Sequence, residues 1–492
     1  MKTLVVLENP ERWPLQIPGV EVVPARDYIT HSEYAEERGT RIFNLCRTYH
    51  YQSLGYYVSL LAAARGHRPL PSVETLQDLR LPHLMRQADD ELDELIQRSL
   101  RPLQGSEFEL SIYFGVNLAE RYRALARALF NLFPAPFLRA RFVWSKSEKR
   151  WELERLRPIA TSDIPESHRE FVLARAVEYL GRRPRQRKRK TFPYDLAILV
   201  DPKEPEPPSN ERAIRKFVEA AEEMGIDASV IEPDEIGRIA EFDGLFIRET
   251  TYVDHHSFRF SRRAEAEGLV VIDDPQSILR CTNKVFLAEA FARHGIGCPK
   301  TLVVGAGDAA RIEREIGLPC VLKVPDSAFS RGVAKAHSLA EMHRQLEEAL
   351  RDSELAVAQE FVSSDFDWRI GVLAGQPLWS CRYFMARGHW QIVSRGKHGN
   401  GSERYGRTET VALDAVPAVV VEEAVRAAAL IGDGLYGVDL KQAGPRVLVM
   451  EVNDNPSLEA GYEDRVLGDD LYLAIMRHFR VRLDARSERA RG

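Results

Sequence analysis

The chain has 492 residues, and 68 Lys and Arg stand against 73 Asp and Glu, for a formal net charge of -5. That balance excludes a globally basic nucleic-acid binder, though not a local basic patch; at about 100–200 residues per domain the length predicts two to four domains. Cys46, Cys281, Cys298, Cys320 and Cys381 show no metal-type CxxC spacing, and their odd, thin count argues against a disulfide scaffold and for a reducing, cytoplasmic address. No segment approaches the roughly 18 apolar residues that span a bilayer, so no membrane partner is expected.

Residues 1–181 form the first block. Strands are expected at 3–7 and 41–45. A helix comes next, in which Leu54, Tyr57, Val58, Leu61 and Ala62 make one apolar stripe. Gly66 ends it, and Pro69 and Pro71 act as breakers beyond it. Helical patterns recur at 117–133 and 166–180, so the block reads as α/β at its start and mostly helical afterwards. Asn44, Arg47, Tyr49, His50 and Gln52 cluster between a strand and a helix, where ligands sit in open α/β folds. A hydrogen-bonded turn with aromatic packing is the preferred alternative. Cys46 and His50 have nucleophile-and-base spacing, but packing is the preferred reading there too.

Residues 182–193 are a basic linker. Seven of the nine residues 182–190 are Lys or Arg, and such a run stays extended and solvated; the alternative is a foothold for an anionic partner such as RNA. Residues 194–279 come next. A strand at 195–201 leads through a Pro/Glu loop to a helix with Ile214, Phe217, Val218 and Ala221 on one face, stopped at Gly225. Short strands at 228–231, 244–247 and 269–272 complete a βαβ pattern and predict a small parallel sheet. Residues 280–482 mix helices with hairpin-like strand pairs, an α+β pattern, and 483–492 read as a polar tail. The fold class is therefore α/β and α+β, multidomain.

The chain has no GxxxxGK[ST] loop, HExxH pair, EF-hand loop or GxSxG elbow. Its most informative stretch is a hairpin at 436–453. Centred on Pro445, it sets Asp439 opposite Glu451, with Val438 and Leu440 opposite Val452 and Met450. Side chains alternate, so Val438, Leu440, Leu448, Met450 and Val452 share an apolar face while Asp439, Glu451 and Asn453 share the other. Opposed carboxylates repel, and a divalent cation is the simplest reason to hold them together. An all-oxygen set suits Mg²⁺ or Mn²⁺. An acid pair on a solvated face, offset by Lys441, is the alternative.

Two lysines stand out. Lys284 opens a helix, with Thr282 as its expected cap, and opposes the helix dipole unless an anion lies between. Lys323 ends the apolar strand 319–324, where a lysine is seldom buried without a partner; a phosphate would serve. The small-residue loop 326–333, with Ser327, Ser330 and Gly332, offers N–H groups and hydroxyls to phosphates. Residues 356–362 read as a strand.

Lys284, Lys323, residues 359–362, Asp439, Glu451 and Asn453 stand in the order used by ATP-grasp ligases. The chain resembles the RimK-like branch, α-glutamate ligases that modify a ribosomal protein. The motifs lie within 281–464; 195–274 resembles the small α/β domain that precedes ATP-grasp, and the first block resembles an extra RimK-associated N-terminal domain. The resemblance implies that Lys323 contacts phosphate and adenine, that Gln359, Glu360, Phe361 and Val362 bind adenine, and that Asp367 lies at the ribose. It makes Asp439, Glu451 and Asn453 the metal ligands, and Arg369 and Arg382 candidates for steadying an acyl phosphate. The implied activity is ATP-dependent amide formation through an acyl phosphate, with two Mg²⁺ or Mn²⁺ ions, a carboxylate substrate and an amine such as glutamate. A ribosomal-protein acceptor and a homo-oligomer are the partners it suggests. The family's glycine-rich lid is poorer in glycine here, and His389-Trp390-Gln391-Ile392-Val393 replaces its Arg-Ser-Asn and His-Arg-Gly-Gly segments. The alternatives are a small-molecule peptide ligase unrelated to ribosomes and a non-catalytic nucleotide-binding scaffold.

Overall fold

The structure, a computed structural model, describes residues 2–13, 17, 19–36, 40–79, 90–180, 192–326, 332–351, 353–386, 390–394 and 404–489. Ser327, Ser330, His389 and the basic stretch 182–190 lie outside the described residues. Two units form: Met1–Pro193 with Asp234–Glu241, and Tyr194–Pro233 with Phe242–Gly492.

In the first unit a parallel sheet runs in the order Val20–Pro24, Thr3–Leu7, Arg41–Asn44, Arg68–Leu70. Thr3–Leu7 is buried throughout, as an apolar central strand must be. The helix Leu54–Ala64 is present, but its buried face is Gly55, Val58, Ser59 and Ala62. Leu54 and Tyr57, expected inside, are 36% and 38% exposed. Hydrogen bonds set that rotation. The buried Asn44 Nδ2 donates to the Gly55 carbonyl at 2.7 Å and to Ser59 Oγ at 2.9 Å. A Cβ at Gly55 would stand 2.3 Å from the Thr48 carbonyl oxygen, so the helix approaches the turn where only glycine fits. The turn itself is hydrogen-bonded: Tyr49 Oη donates to the Asn44 carbonyl and Asn44 Oδ1 accepts from the Cys46 N–H. Cys46 is buried and burial pushes its thiol well up, which removes it as a nucleophile.

The mostly helical remainder needs correction. Helices Arg123–Leu132 and Arg169–Leu180 are present, but so is an antiparallel sheet of Glu107–Tyr113, Phe137–Ser145 and Arg150–Pro158. In its middle strand Leu138, Ala140 and Phe142 are buried while Arg139 and Arg141 alternate with them toward solvent. That is the period-2 pattern of a half-buried strand.

The second unit opens with a parallel sheet in the order Val270–Ile272, Gly244–Ile247, Tyr194–Leu199, Ile226–Ile231. The helix Glu211–Glu223 is capped by Asn210, whose side chain accepts from the Ala213 N–H, and buries Ala213, Ile214, Phe217, Ala220 and Ala221. Residues 483–489, expected as tail, belong instead to the helix Asp470–Arg489. Leu471, Ile475, Met476, Phe479 and Leu483 recur on its buried face, and Tyr472 packs edge-on against Phe217 at 4.8 Å.

Two larger antiparallel sheets follow among the described residues, beside a two-stranded one of Val393–Ser394 and Arg404–Tyr405. One orders Thr301–Val304, Ala356–Glu360, Cys320–Lys323, Val333–Ala336; the other orders Thr408–Val411, Gln376–Phe384, Phe366–Leu373, Leu435–Ala443, Arg446–Asn453. In the five-stranded sheet, Trp368, Ile370, Val438, Leu440, Val449 and Val452 share one face and pack on Val420, Ala424 and Ala427 of the helix Ala418–Ala429. Among the described residues no helix is long and apolar enough to cross a membrane, and all five cysteines are free thiols.

Candidate active site

The hairpin Leu435–Ala443 and Arg446–Asn453 pairs Asp439 with Glu451 and Val438 with Val452, as expected. The two-residue turn is Gly444-Pro445, with Gly444 at φ +61°. Leu440, however, pairs with Val449 and not with Met450. A bulge beyond Asp439 absorbs the extra residue and turns Met450 out of the core. Val449 takes the buried position, and Met450 joins Glu451 at the wall of a cavity.

That cavity has a volume of about 150 Å³. The four-stranded sheet supplies Val321, Lys323, Val333, Gln359 and Glu360, with Phe361 and Val362 beyond its edge; the five-stranded sheet supplies Asp367, Asp439, Lys441, Met450 and Glu451. Lys284 enters from a helix start, and Trp390, Gln391 and Ile392 close another side.

Lys284 is the first residue of the helix Lys284–His294, and both it and Lys323 are only 9% exposed. The cap is Asn283, not Thr282: Asn283 Oδ1 accepts from the N–H groups of Val285 and Phe286 at 3.0 Å, while Thr282 Oγ1 donates back to the Ile278 carbonyl. Lys323 closes its strand. Burial, aided by Lys284 and Lys441 and opposed by Glu451 and Asp367, lowers its pKa to about 8.

The remaining expected contacts sort clearly. Gln359 Nε2 donates to Thr301 Oγ1 at 2.9 Å, and its Oε1 is buried with no hydrogen-bond partner among the described residues. Glu360 pairs with Arg446 at 2.5 Å and accepts from the Lys300 N–H. Phe361 lies under the Lys335 ammonium, 3.4 Å from ring centroid to Nζ, with Trp390 edge-on at 5.9 Å. Asp367 accepts from Lys441 Nζ at 2.6 Å and Ser364 Oγ at 3.0 Å, yet burial still raises its pKa. Gly332, at φ +63°, accepts from the Val324 N–H at 2.9 Å and stands next to Val333.

Asp439 is held by a bidentate pair: Arg369 Nε and Nη2 reach its two oxygens at 2.6 Å each. Asn453 Nδ2 donates to Asp439 Oδ2 at 3.3 Å and to the Gly437 carbonyl at 3.2 Å. Glu451 makes no hydrogen bond or ion pair among the described residues. A hard divalent cation fits this set. Glu451 is uncommitted, Asp439 Oδ1 keeps a lone pair beside Arg369 while Oδ2 accepts from both Arg369 and Asn453, and Asn453 leaves Oδ1 open.

Arg382 is a correction. It pairs across the ladder with Trp368, so the pleat points it to the face opposite Arg369, Asp439 and Glu451. There it lies over Phe366 and Trp368 at 5.1 Å and 4.8 Å. Residues missed from sequence include Lys441, Lys335 and Trp390. Lys441 was legible in principle, since it stands two residues from Asp439 and shares its face; Lys335 reaches Phe361 only through the pairing of Lys335 with Val321.

Two family models match the chain: the RimK-like ATP-grasp N-terminal domain over residues 25–175 and the RimK-like ATP-grasp domain over residues 281–477. The chain belongs to the RimK-like ATP-grasp family. The ATP-grasp domain holds every cavity residue named above. A probable alpha-L-glutamate ligase of Rhodopirellula baltica is 28% identical over 264 residues, 50% of this chain and 62% of that protein. The alpha-aminoadipate–LysW ligase LysX of Saccharolobus solfataricus is 29% identical over 205 residues, 39% of this chain and 68% of that protein. The chain thus spans about two thirds of the length of these relatives. A RimK domain ATP-grasp protein of Sphaerobacter thermophilus is 17% identical, with a TM-score of 0.43, over 57% of this chain and 98% of that one.

Proposed function

We propose that this RimK-like ATP-grasp protein is an ATP-dependent carboxylate–amine ligase that forms an amide through an acyl phosphate. One observation carries the reading: buried Lys284 and Lys323 line a single cavity with the oxygen donors Asp439 and Glu451, and buried Lys441 stands beside those donors on their own sheet. The apolar part of its wall, Val321, Phe361, Val362, Ile392 and Met450, suits an adenine ring, and Gln359 Oε1, without a partner among the described residues, suits its amino group. Lys284 and Lys323 hold the phosphates. Asp439, Glu451 and Asn453 would hold magnesium or manganese, which would supply neutralisation of the nucleotide's phosphate charge. The acceptor carboxylate oxygen attacks the γ-phosphorus and ADP leaves; the amine nitrogen then attacks the acyl carbon and phosphate leaves. The amine is glutamate in this reading, by likeness to the probable alpha-L-glutamate ligase named above. Arg369 positions Asp439.

The test is a screen of the whole chain with ATP, magnesium, amino acids, protein C-termini (a ribosomal protein's among them) and small carboxylates, read by ADP release and product mass. Release that needs both a carboxylate and an amine, with a product heavier by the amine less water, is expected. Nucleotide binding without turnover across the panel leaves only the scaffold reading.

A pH dependence arises from Lys323. Its pKa is lowered from the ordinary lysine value to about 8, and a bound triphosphate raises it again. ATP binding therefore takes up a proton above about pH 8, and affinity falls as pH climbs past that point. The unfolded chain holds this proton more tightly than the folded chain, so the same group makes the fold more stable between about pH 8 and 10. Calorimetry in buffers of different ionisation enthalpy reads the proton directly, and Lys323→Met removes the uptake. An uptake unchanged in that variant assigns it elsewhere.

A further inference from the structure

We propose that Glu249, His255 and His256 form a binding site for a divalent transition-metal ion of the zinc class, separate from the ATP-grasp carboxylates. The three residues lie beyond the strand Gly244–Ile247, at the carboxyl edge of the parallel sheet. Strand order reverses there, between Gly244–Ile247 and Tyr194–Leu199, and such crevices gather ligands in doubly wound sheets. One donor atom from each residue lies within 4.8 Å of the others.

The decisive feature is unmet polarity. Glu249 is 1% exposed, and neither of its carboxylate oxygens has a hydrogen-bond partner among the described residues. His256 Nε2, buried as well, lies 2.6 Å from Glu249 Oε1 as an ion pair with poor hydrogen-bond alignment, and Glu249 Oε2 has no partner at all among the described residues. A buried carboxylate facing a ring nitrogen off the N–H direction is costly as a pair, and a cation between them satisfies both lone pairs. The surrounding charge favours that cation. Asp201 and Glu204 both act on Glu249, and Glu204 is itself held by the Thr250 N–H. Arg259 is the opposing cation near His255.

The histidines are suited to ligation. Burial, then His256 and Arg259, lowers His255 to about 4, so its imidazole is neutral. His255 Nδ1 accepts from the Ser257 N–H at 3.4 Å and lies 2.9 Å from Ser257 Oγ; these contacts fix the ring, and when a metal takes Nε2 the ring proton moves to Nδ1, where Ser257 Oγ can accept it. Two imidazoles and one carboxylate suit zinc, whereas the all-oxygen set of Asp439, Glu451 and Asn453 suits magnesium. Three protein ligands leave a fourth position for water or a substrate oxygen.

The experiment titrates zinc into the chelator-stripped full chain under excess magnesium, by calorimetry, and repeats it with cobalt to read visible ligand-field bands. One zinc ion per chain is expected, kept in Glu451→Gln. Affinity should fall at least about 100-fold in the His255→Gln/His256→Gln pair, and the bands should be lost. Glu249→Gln keeps the side-chain shape should the double variant not fold, and it too should weaken zinc at least about tenfold. Wild-type chain that takes up no zinc overturns the proposal. So does zinc held equally by the histidine and Glu249 variants, or zinc lost from Glu451→Gln alone.

Discussion

Glu451→Gln lowers magnesium-dependent ADP release about 10²–10³-fold while leaving unfolding by urea within about 1 kcal/mol of wild type. The split comes from the side chain's surroundings. Glu451 lines the cavity and makes no hydrogen bond or ion pair among the described residues, so the fold does not lean on it. Its charge acts on Lys323 and on whatever cation the cavity takes. The amide keeps the shape and removes the charge. Asp439→Asn should behave differently. It strips Arg369 of a bidentate partner with both side chains mostly buried, 14% and 16% exposed. Breaking such a pair costs about 3–5 kcal/mol, so activity and stability fall together. Equal stability losses in the two variants would contradict this account; so would full activity in Glu451→Gln.

Arg248→Ala should cost about 3–5 kcal/mol of stability and weaken MgATP binding with it. Arg248 is fully buried. Nε donates to Ser209 Oγ at 3.0 Å, Nη1 to Asn455 Oδ1 at 2.6 Å, and Nη2 to the carbonyls of Pro208 and Pro456 at 2.9 Å each. Burial disfavours its charge, and Asp273 and then Glu463 act most strongly against that. One guanidinium therefore ties the end of the parallel sheet to the loop that begins just after Asn453. Removing it leaves buried acceptors without donors and frees the loop that follows the candidate metal ligand Asn453. Arg248→Lys should not restore either property, because an ammonium cannot span the four acceptors as a planar fork does. Urea unfolding and nucleotide titration check both halves. A loss below about 1 kcal/mol would show that the neighbouring backbone holds the loop unaided.

The amino-acid order alone determined the parallel sheet of the second unit and the pairing of Asp439 with Glu451. Those features rest on local periodicity: apolar runs between turn residues, and side chains alternating along a strand across a Gly-Pro turn. Lys323 could be singled out for a similar reason, a charge ending an apolar strand. The antiparallel sheet of the first unit was written in the same code, Leu138, Ala140 and Phe142 between arginines, but strands that pair across 20 or more residues compete with helical readings in any short window.

Tertiary structure decided the rest, because it chooses which face meets which neighbour. The bulge after Asp439 moved Met450 from the core to the cavity, and no periodicity announces where a ladder slips by one residue. Arg382 had the right chemistry and the wrong parity, and only its pairing with Trp368 sent it to the other face. Asn44 turned the helix Leu54–Ala64 by bonding its backbone, which overrode the apolar stripe. Arg369 became the partner of Asp439, and Lys335 that of Phe361, through strands far apart in sequence. Long-range pairing of this kind is set by the burial of whole sheets and not by any one segment, which is why composition and spacing could name the chemistry while only the packed chain could assemble it.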